Sequence, residues 1–187
     1  MSAGTTVLGT LTWARATDRP DLLAPPVRAA VESWAAADPA VADAVLVTEI
    51  DPELADTAAM TEAYDVPLTA SANCVVVSGK RAGDERIAAC LVRADTRADV
   101  NNLVKRTLDV RKCSFHPMDR AVEETAMEYG GITPVGLPSE WRLLVDAACL
   151  DIDVAIIGSG VRRSKLLLPG RLLGELKAAE VVERLAH

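Results

Sequence analysis

The chain has 187 residues, half of them hydrophobic but only 3% aromatic, and a formal net charge of −7. That length supports one well-buried α/β core built from Ala, Val, Leu and Ile, and is short for two independent domains. The acidic balance excludes a protein that coats nucleic acid non-specifically, while leaving room for a local basic patch.

In chain order, Thr6 to Trp13 alternates enough to predict a first strand, and Pro20 to Pro26 a loop. Pro26 suits the first turn of a helix running to about Ala37. AVLVTEI, Ala44 to Ile50, predicts a buried strand. Asp51-Pro52 then predicts an N-cap and first helical residue, with the helix reaching Tyr64. NCVVVS, Asn73 to Ser78, is a strand by its β-branched content, Gly79 to Asp84 a hairpin turn, and Arg86 to Ala94 the returning strand. From Thr96, the positions Val100, Leu103, Val104 and Leu108 keep helical spacing. A short strand at Val110 to Ser114 and a helix from Met118 to Met127 follow. Strands at Arg142 to Val145, Val154 to Ile157 and Lys165 to Leu168 complete the set. Pro169-Gly170 opens a last helix, and Glu180 to Leu185 makes a closing helical turn. Hairpins among helices predict a single mixed-sheet α/β domain with flanking helices.

No apolar run approaches the roughly 18 to 20 residues of a membrane span, and MSAGTTVLGTLTWARA lacks a basic start followed by a long apolar segment. A soluble, cytoplasmic protein with no membrane partner is expected. Cys74, Cys90, Cys113 and Cys149 contain no CxxC pair, and the two histidines are His116 and His187. Neither a disulfide framework nor a metal site is expected, and no cofactor motif stands out.

Chemistry concentrates in two glycine-rich stretches. MEYGGITPVGLP prolongs an irregular backbone well past any helix cap, which suits close approach of a ligand to the main chain. Gly130, Gly131, Thr133, Pro134 and Gly136 are its candidate site residues. GSGVRRSK, with Gly158, Ser159, Gly160 and the three cations Arg162, Arg163 and Lys165, follows the buried AIIG run. It reads either as a tight hairpin or as a phosphate-contacting turn, though it lacks the GxxxxGK[ST] spacing. Arg97, Lys105, Arg106, Arg111 and Lys112 form either a solvated face or a nucleic-acid footprint. Cys113 and His116 are spaced for a thiol–imidazole pair, but a buried cysteine is more often a small hydrophobe and no carboxylate is assigned to orient the imidazole. Asp146, ending an apolar strand, is either a site carboxylate or the cap of the following turn.

These elements in this order resemble the YbaK/ProX family of aminoacyl-tRNA deacylases. GGITPVG is similar to a family core of the form GG[IVC]SP[LIF]G, Leu144-Val145-Asp146 to a strand ending in Asp, and IGSGVRRSKLLLPGRL to a segment SGGKRGxxxxLxxxDL. Asp56-Thr57 and NCVVV fit a Thr-bearing helix and a K-T-L strand. The similarity covers roughly residues 50 to 185. It implies an N-terminal extension at 1–45 packed on the core and a deacylase-like domain at 46–187. It further implies hydrolysis of a tRNA mischarged with a small amino acid, through substrate-assisted attack with backbone N–H stabilisation from the glycine loop. Asn73, Gly130, Gly131 and Asp146 would be catalytic. Thr133, Pro134, Gly136, Gly158, Ser159 and Gly160 would bind substrate, and Arg111, Lys112, Arg162 and Arg163 the tRNA. The partner would be the aminoacyl-tRNA acceptor end, and with it an aminoacyl-tRNA synthetase. One departure stands out: Asn73-Cys74-Val75 aligns with K-T-L, so asparagine stands where the family has lysine. Lys112 and Lys80 are then the candidate substitute cations. The departure opens a second reading, a weak or inactive relative that binds tRNA or a nucleotide. A third, from another class, is a protein-interaction module using a Trp13/Trp34 surface.

Overall fold

The computed structural model describes residues 6–187, and its strands fall into two five-stranded sheets. The N-terminal strand of the sequence reading is a hairpin, β1 (Thr6–Leu8) and β2 (Leu11–Arg15), turned at Gly9 with positive φ. α1 (Pro25–Ala37) opens on two prolines, which suit a turn whose first N–H groups are unpaired. α2 (Pro39–Ala44) is capped by the Asp38 carboxylate, and β3 (Leu46–Glu49) follows. The single helix expected from Asp51 to Tyr64 is two pieces. Asp51 caps a 3-10 turn at Pro52–Leu54, and Asp56 caps α3 (Thr57–Ala63) by accepting from the Ala58 and Ala59 N–H groups. A second capping carboxylate restarts the helix.

β4 (Ala72–Arg81) and β5 (Asp84–Arg93) form a ten-residue-per-strand hairpin. The turn is shorter than expected because Ala82 and Gly83 both take positive φ, the two-residue geometry that matches strand twist. The helical pattern after Thr96 becomes a π turn (Val100–Val104) and the one-turn α4 (Lys105–Thr107). Then come β6 (Cys113–Phe115), α5 (Met118–Thr125), β7 (Arg142–Asp146), α6 (Ala147–Leu150), β8 (Ala155–Gly158) and β9 (Ser164–Leu168). Gly170 and Gly174 leave Gly170–Glu175 as 3-10 rather than α-helix. The expected closing helix at Glu180 is instead β10 (Ala179–Val182), paired parallel to β7. Val181 and Val182 suit a strand, and a distant partner decides.

The first sheet, β1-β2-β3-β9-β8, is antiparallel throughout, and the second, β10-β7-β5-β4-β6, is mixed. A parallel bridge between Ser71 and Ile156 brings the start of β4 to β8, so the sheets meet there. Alternation along the strands feeds three clusters. Ala89 and Leu91 of β5, Leu143 and Val145 of β7, and Leu166 and Leu168 of β9 share the main core with Ala16, Leu22, Val27 and Val31 from the N-terminal segment. Cys90, Val92 and Leu144 point the other way, onto Val104, Leu108 and Leu185. Ile156 and Leu167 meet Met60, Leu11 and Trp13. Sheets covered on both faces explain why these strands read as unbroken apolar runs. Trp13 is only 3% exposed, so the proposed Trp13/Trp34 surface does not exist as one, Trp34 packing half-buried against the main core.

Candidate active site

The two glycine-rich stretches lie against each other. Glu128 N–H donates to the Gly160 carbonyl at 2.8 Å, and Gly160 N–H to the Gly131 carbonyl at 2.8 Å. The Arg162 N–H donates to the Glu128 carboxylate at 2.7 Å. Each loop contributes a glycine, Gly130 and Gly158, to a cavity of about 460 Å³ at the junction of the sheets. The other walls come from the start of α3, the start of β4, Ile156 and Ile157 of β8, and Lys165 of β9. This size falls within the usual range for small-molecule sites.

Asn73 is in this cavity, at the second position of β4. The Thr57 hydroxyl donates to its side-chain carbonyl at 2.7 Å, which orients the amide and leaves its NH₂ group available. Thr57 stands there because Asp56, capping the helix, fixes the first turn of α3 beside the strand. Burial pushes the Cys74 thiol well above its usual range, which makes it an unreactive wall. Tyr129 and Met118 are exposed and line the cavity as well. The Arg162 guanidinium lies 5.7 Å from the Tyr129 ring centroid and donates to the Tyr129 and Pro52 carbonyls.

Several sequence candidates do other work. The Gly131 N–H donates to the Glu128 carbonyl at 2.9 Å and is not free for an oxyanion; a Cβ there would lie 2.7–2.8 Å from Val161 backbone atoms. Gly130, by contrast, has φ +80 and an N–H without a partner among the described residues. Asp146 faces away from the cavity. One of its oxygens caps α6 through the Ala148 N–H at 3.0 Å, and the other accepts from the Ala186 N–H at 2.6 Å. Thr133 is fully buried, and Pro134 and Gly136 line a separate groove with Trp34 and Trp141. A Cβ on Gly136 would lie 2.5 Å from the Pro26 carbonyl, and one on Gly160 would strike Ala24. These glycines admit the N-terminal segment rather than a ligand. The Ser159 hydroxyl is buried in a network with Ser164. Cys113 packs in the second core cluster, and His116 Nε2 faces Glu124 at 3.5 Å, so they form no nucleophilic pair in the cavity.

The basic candidates are divided. Arg162 is beside the cavity, and Arg163 extends from the same loop to the Asp21 carbonyl and Glu49. Arg111 and Lys112 are exposed at the far end of β4, where the Arg111 N–H donates to the Lys80 carbonyl. Six residues of strand separate that end from Asn73, about 20 Å. Lys80 and Lys112 therefore cannot supply a cation to the cavity.

A family model described as the aminoacyl-tRNA editing domain matches residues 51–175. The chain belongs to that family. No curated protein matches the sequence. Among solved structures, a crystal structure of a hypothetical protein shares 23% identity at a TM-score of 0.68, covering 82% of this chain and 97% of its own. Another, provisionally named a trans-editing enzyme for prolyl tRNA synthetase, shares 19% at 0.69, covering 86% and 97%. A designed epitope scaffold shares 18% at 0.70, covering 86% and 95%. These likenesses show that the mixed α/β editing-domain fold, in its two-sheet form, is the fold of this chain.

As an editing domain, the chain holds in its cavity a residue that the sequence suggests only as one of three phosphate-contacting cations of GSGVRRSK. Lys165 is 6% exposed, donates to the Ala55 carbonyl at 2.8 Å, and lines the cavity. Its signal was present: a lysine inside SKLLL has no solvent face to occupy. Asp146 gives the contrasting expectation. Asp146→Ala should lower stability by about 2–4 kcal/mol, summing a lost cap and a buried amide left unpaired. Urea midpoints should show this while kcat/KM of the folded variant stays within about twofold of the parent. A loss confined to kcat/KM would return Asp146 to the chemistry.

Proposed function

We propose that this editing domain hydrolyses the ester of a tRNA mischarged with a small amino acid, acting in trans on the free acceptor end. The observation that carries the reading is the single cavity that collects Asn73, Thr57, Gly130 and Gly158 at the sheet junction. Ala55, Ala58, Ala72 and Ala94 line it, which suits a short side chain. The Asn73 amide holds the terminal ribose by a neutral hydrogen bond. The neighbouring ribose hydroxyl assists the attacking water, and the Gly130 N–H meets the carbonyl oxygen as it gains charge. Such a second sieve is useful because one methylene separates substrates by only about 1–3 kcal/mol in a synthetase pocket. Residues 46–187 form the editing unit, residues 1–45 an extension on it, and the synthetase that mischarges the tRNA is the natural partner. The working compartment would be the cytoplasm, where charged tRNA is used.

Incubation with one tRNA body carrying amino acids of graded size tests this reading. Hydrolysis should be fastest for the smallest groups. Binding without hydrolysis would favour the inactive relative instead. Affinity for tRNA should fall with salt, the log–log slope being about −0.7 to −0.9 per phosphate neutralised. Arg111→Ala with Lys112→Ala should flatten that slope by about 1 to 2 in all, leaving kcat intact. A slope unchanged in the double variant would remove those residues from the footprint.

A further inference from the structure

Lys165 occupies the second position of β9, a strand whose five residues are all buried. Its register partners are Thr48 of β3 and Gly158 of β8, so its backbone is held by a neighbouring strand on either side. The ammonium donates one hydrogen bond, to Ala55, and forms no ion pair with a carboxylate among the described residues. An ammonium carries three donors, so two are left for whatever enters the cavity. A charge buried without a counter-charge costs stability, and a fold that only needed packing there would do better with an apolar side chain. On the same cavity wall, Ser71 is 2% exposed and its hydroxyl has no hydrogen-bond partner among the described residues. Two buried polar groups therefore address space that a ligand would fill.

We propose that Lys165 is a catalytic residue of the cavity, its ammonium holding the ester carbonyl oxygen of the substrate and stabilising the negative charge that develops there. The inference rests on the deacylase reading above. Water adds to the ester carbon and gives a proton to the neighbouring ribose hydroxyl, which hands its own proton on to the ester's ribose oxygen, while the carbonyl electron pair moves onto the oxygen beside Lys165. The carbonyl re-forms, the bond from carbon to ribose oxygen breaks, and that oxygen leaves protonated. One water is consumed, the amino acid is released, and Lys165 keeps its proton throughout.

The charged and titratable groups around Lys165 are Asp56 ahead of α3, Arg162 from the β8–β9 loop, and Cys74 and Tyr129 on the wall. Burial lowers Lys165 to about 8, with Asp56 opposing and Arg162 adding to that shift. The ammonium is present below that pH and lost above it. Enzymatic rate, corrected for spontaneous ester hydrolysis, should therefore decline as pH rises through about 8.

The test compares wild type, Lys165→Met, and Lys165→Met combined with Asn73→Lys on a charged tRNA that wild type deacylates. Lys165→Met should lower kcat about a hundredfold with KM within about twofold, and should abolish the fall in rate near pH 8. Its Tm should equal or exceed that of wild type, because an unpaired buried charge has gone. Asn73→Lys returns a cation to the same cavity and should recover part of the rate. A Lys165→Met variant within twofold of wild type overturns the inference and leaves the deacylase reading standing. Loss of rate with a much lower Tm and no recovery by Asn73→Lys makes Lys165 structural and also overturns it. Wild type that hydrolyses no charged tRNA overturns the deacylase reading, and this inference with it.

Discussion

Replacing Gly131 by valine is expected to destabilise the fold before it alters any chemistry. A Cβ at this position would lie 2.7 Å from the Val161 carbonyl carbon and 2.8 Å from its nitrogen and oxygen. All three are backbone atoms, so no side chain can swing aside. The loops would have to separate, straining the bonds from Gly160 to Gly131 and from Glu128 to Gly160. Overpacking costs about 1–3 kcal/mol, and two weakened hydrogen bonds add about 0.5–1.5 kcal/mol each. The sum, about 2–6 kcal/mol, is a large share of the 5–15 kcal/mol that holds a typical domain. Urea denaturation should show a lower midpoint at unchanged slope. Wild-type stability with lost hydrolysis would instead restore the oxyanion role to Gly131.

The second large effect concerns the pair Thr57 and Asn73. On the proposed reading Asn73→Ala removes a neutral hydrogen bond to the substrate and should lower kcat/KM about threefold to tenfold. Thr57→Val removes the group that orients the Asn73 amide, so it should cost a similar factor. The double variant should be little worse than either single one, because the two act as a unit. Fully additive losses would mean that Thr57 touches the substrate on its own account. Asn73→Lys in the wild-type background should lower the rate, since it places a second cation in the cavity that Lys165 already occupies.

Much of this architecture is legible from local patterns. The β4–β5 hairpin and the apolar strands β7, β8 and β9 are visible because burial on both faces leaves continuous runs of Val, Leu and Ile. What escapes is set by distant partners. Glu180 to Leu185 has a helix-compatible composition, and only its pairing with β7 makes part of it a strand. Gly130 and Gly131 are adjacent and identical in sequence, yet one opens a cavity and the other packs on Val161. Asp146 and Lys165 make the same point for charge. Both sit in or at the end of apolar strands, but Asp146 meets two backbone N–H groups, while the Lys165 ammonium meets a single carbonyl and faces the cavity. Counting what each buried group is already bonded to separates a structural polar residue from one that waits for a ligand.

Single-turnover hydrolysis of one tRNA body, charged with alanine or with phenylalanine, tests the central claim most directly when wild type and Asn73→Ala are compared at equal folded concentration. The cavity reading predicts rapid loss of the alanyl ester with wild type, slow loss of the phenylalanyl ester, and a threefold to tenfold slower alanyl reaction with Asn73→Ala. Wild-type rates no faster than buffer, or alanyl hydrolysis untouched by the Asn73 substitution, would contradict it.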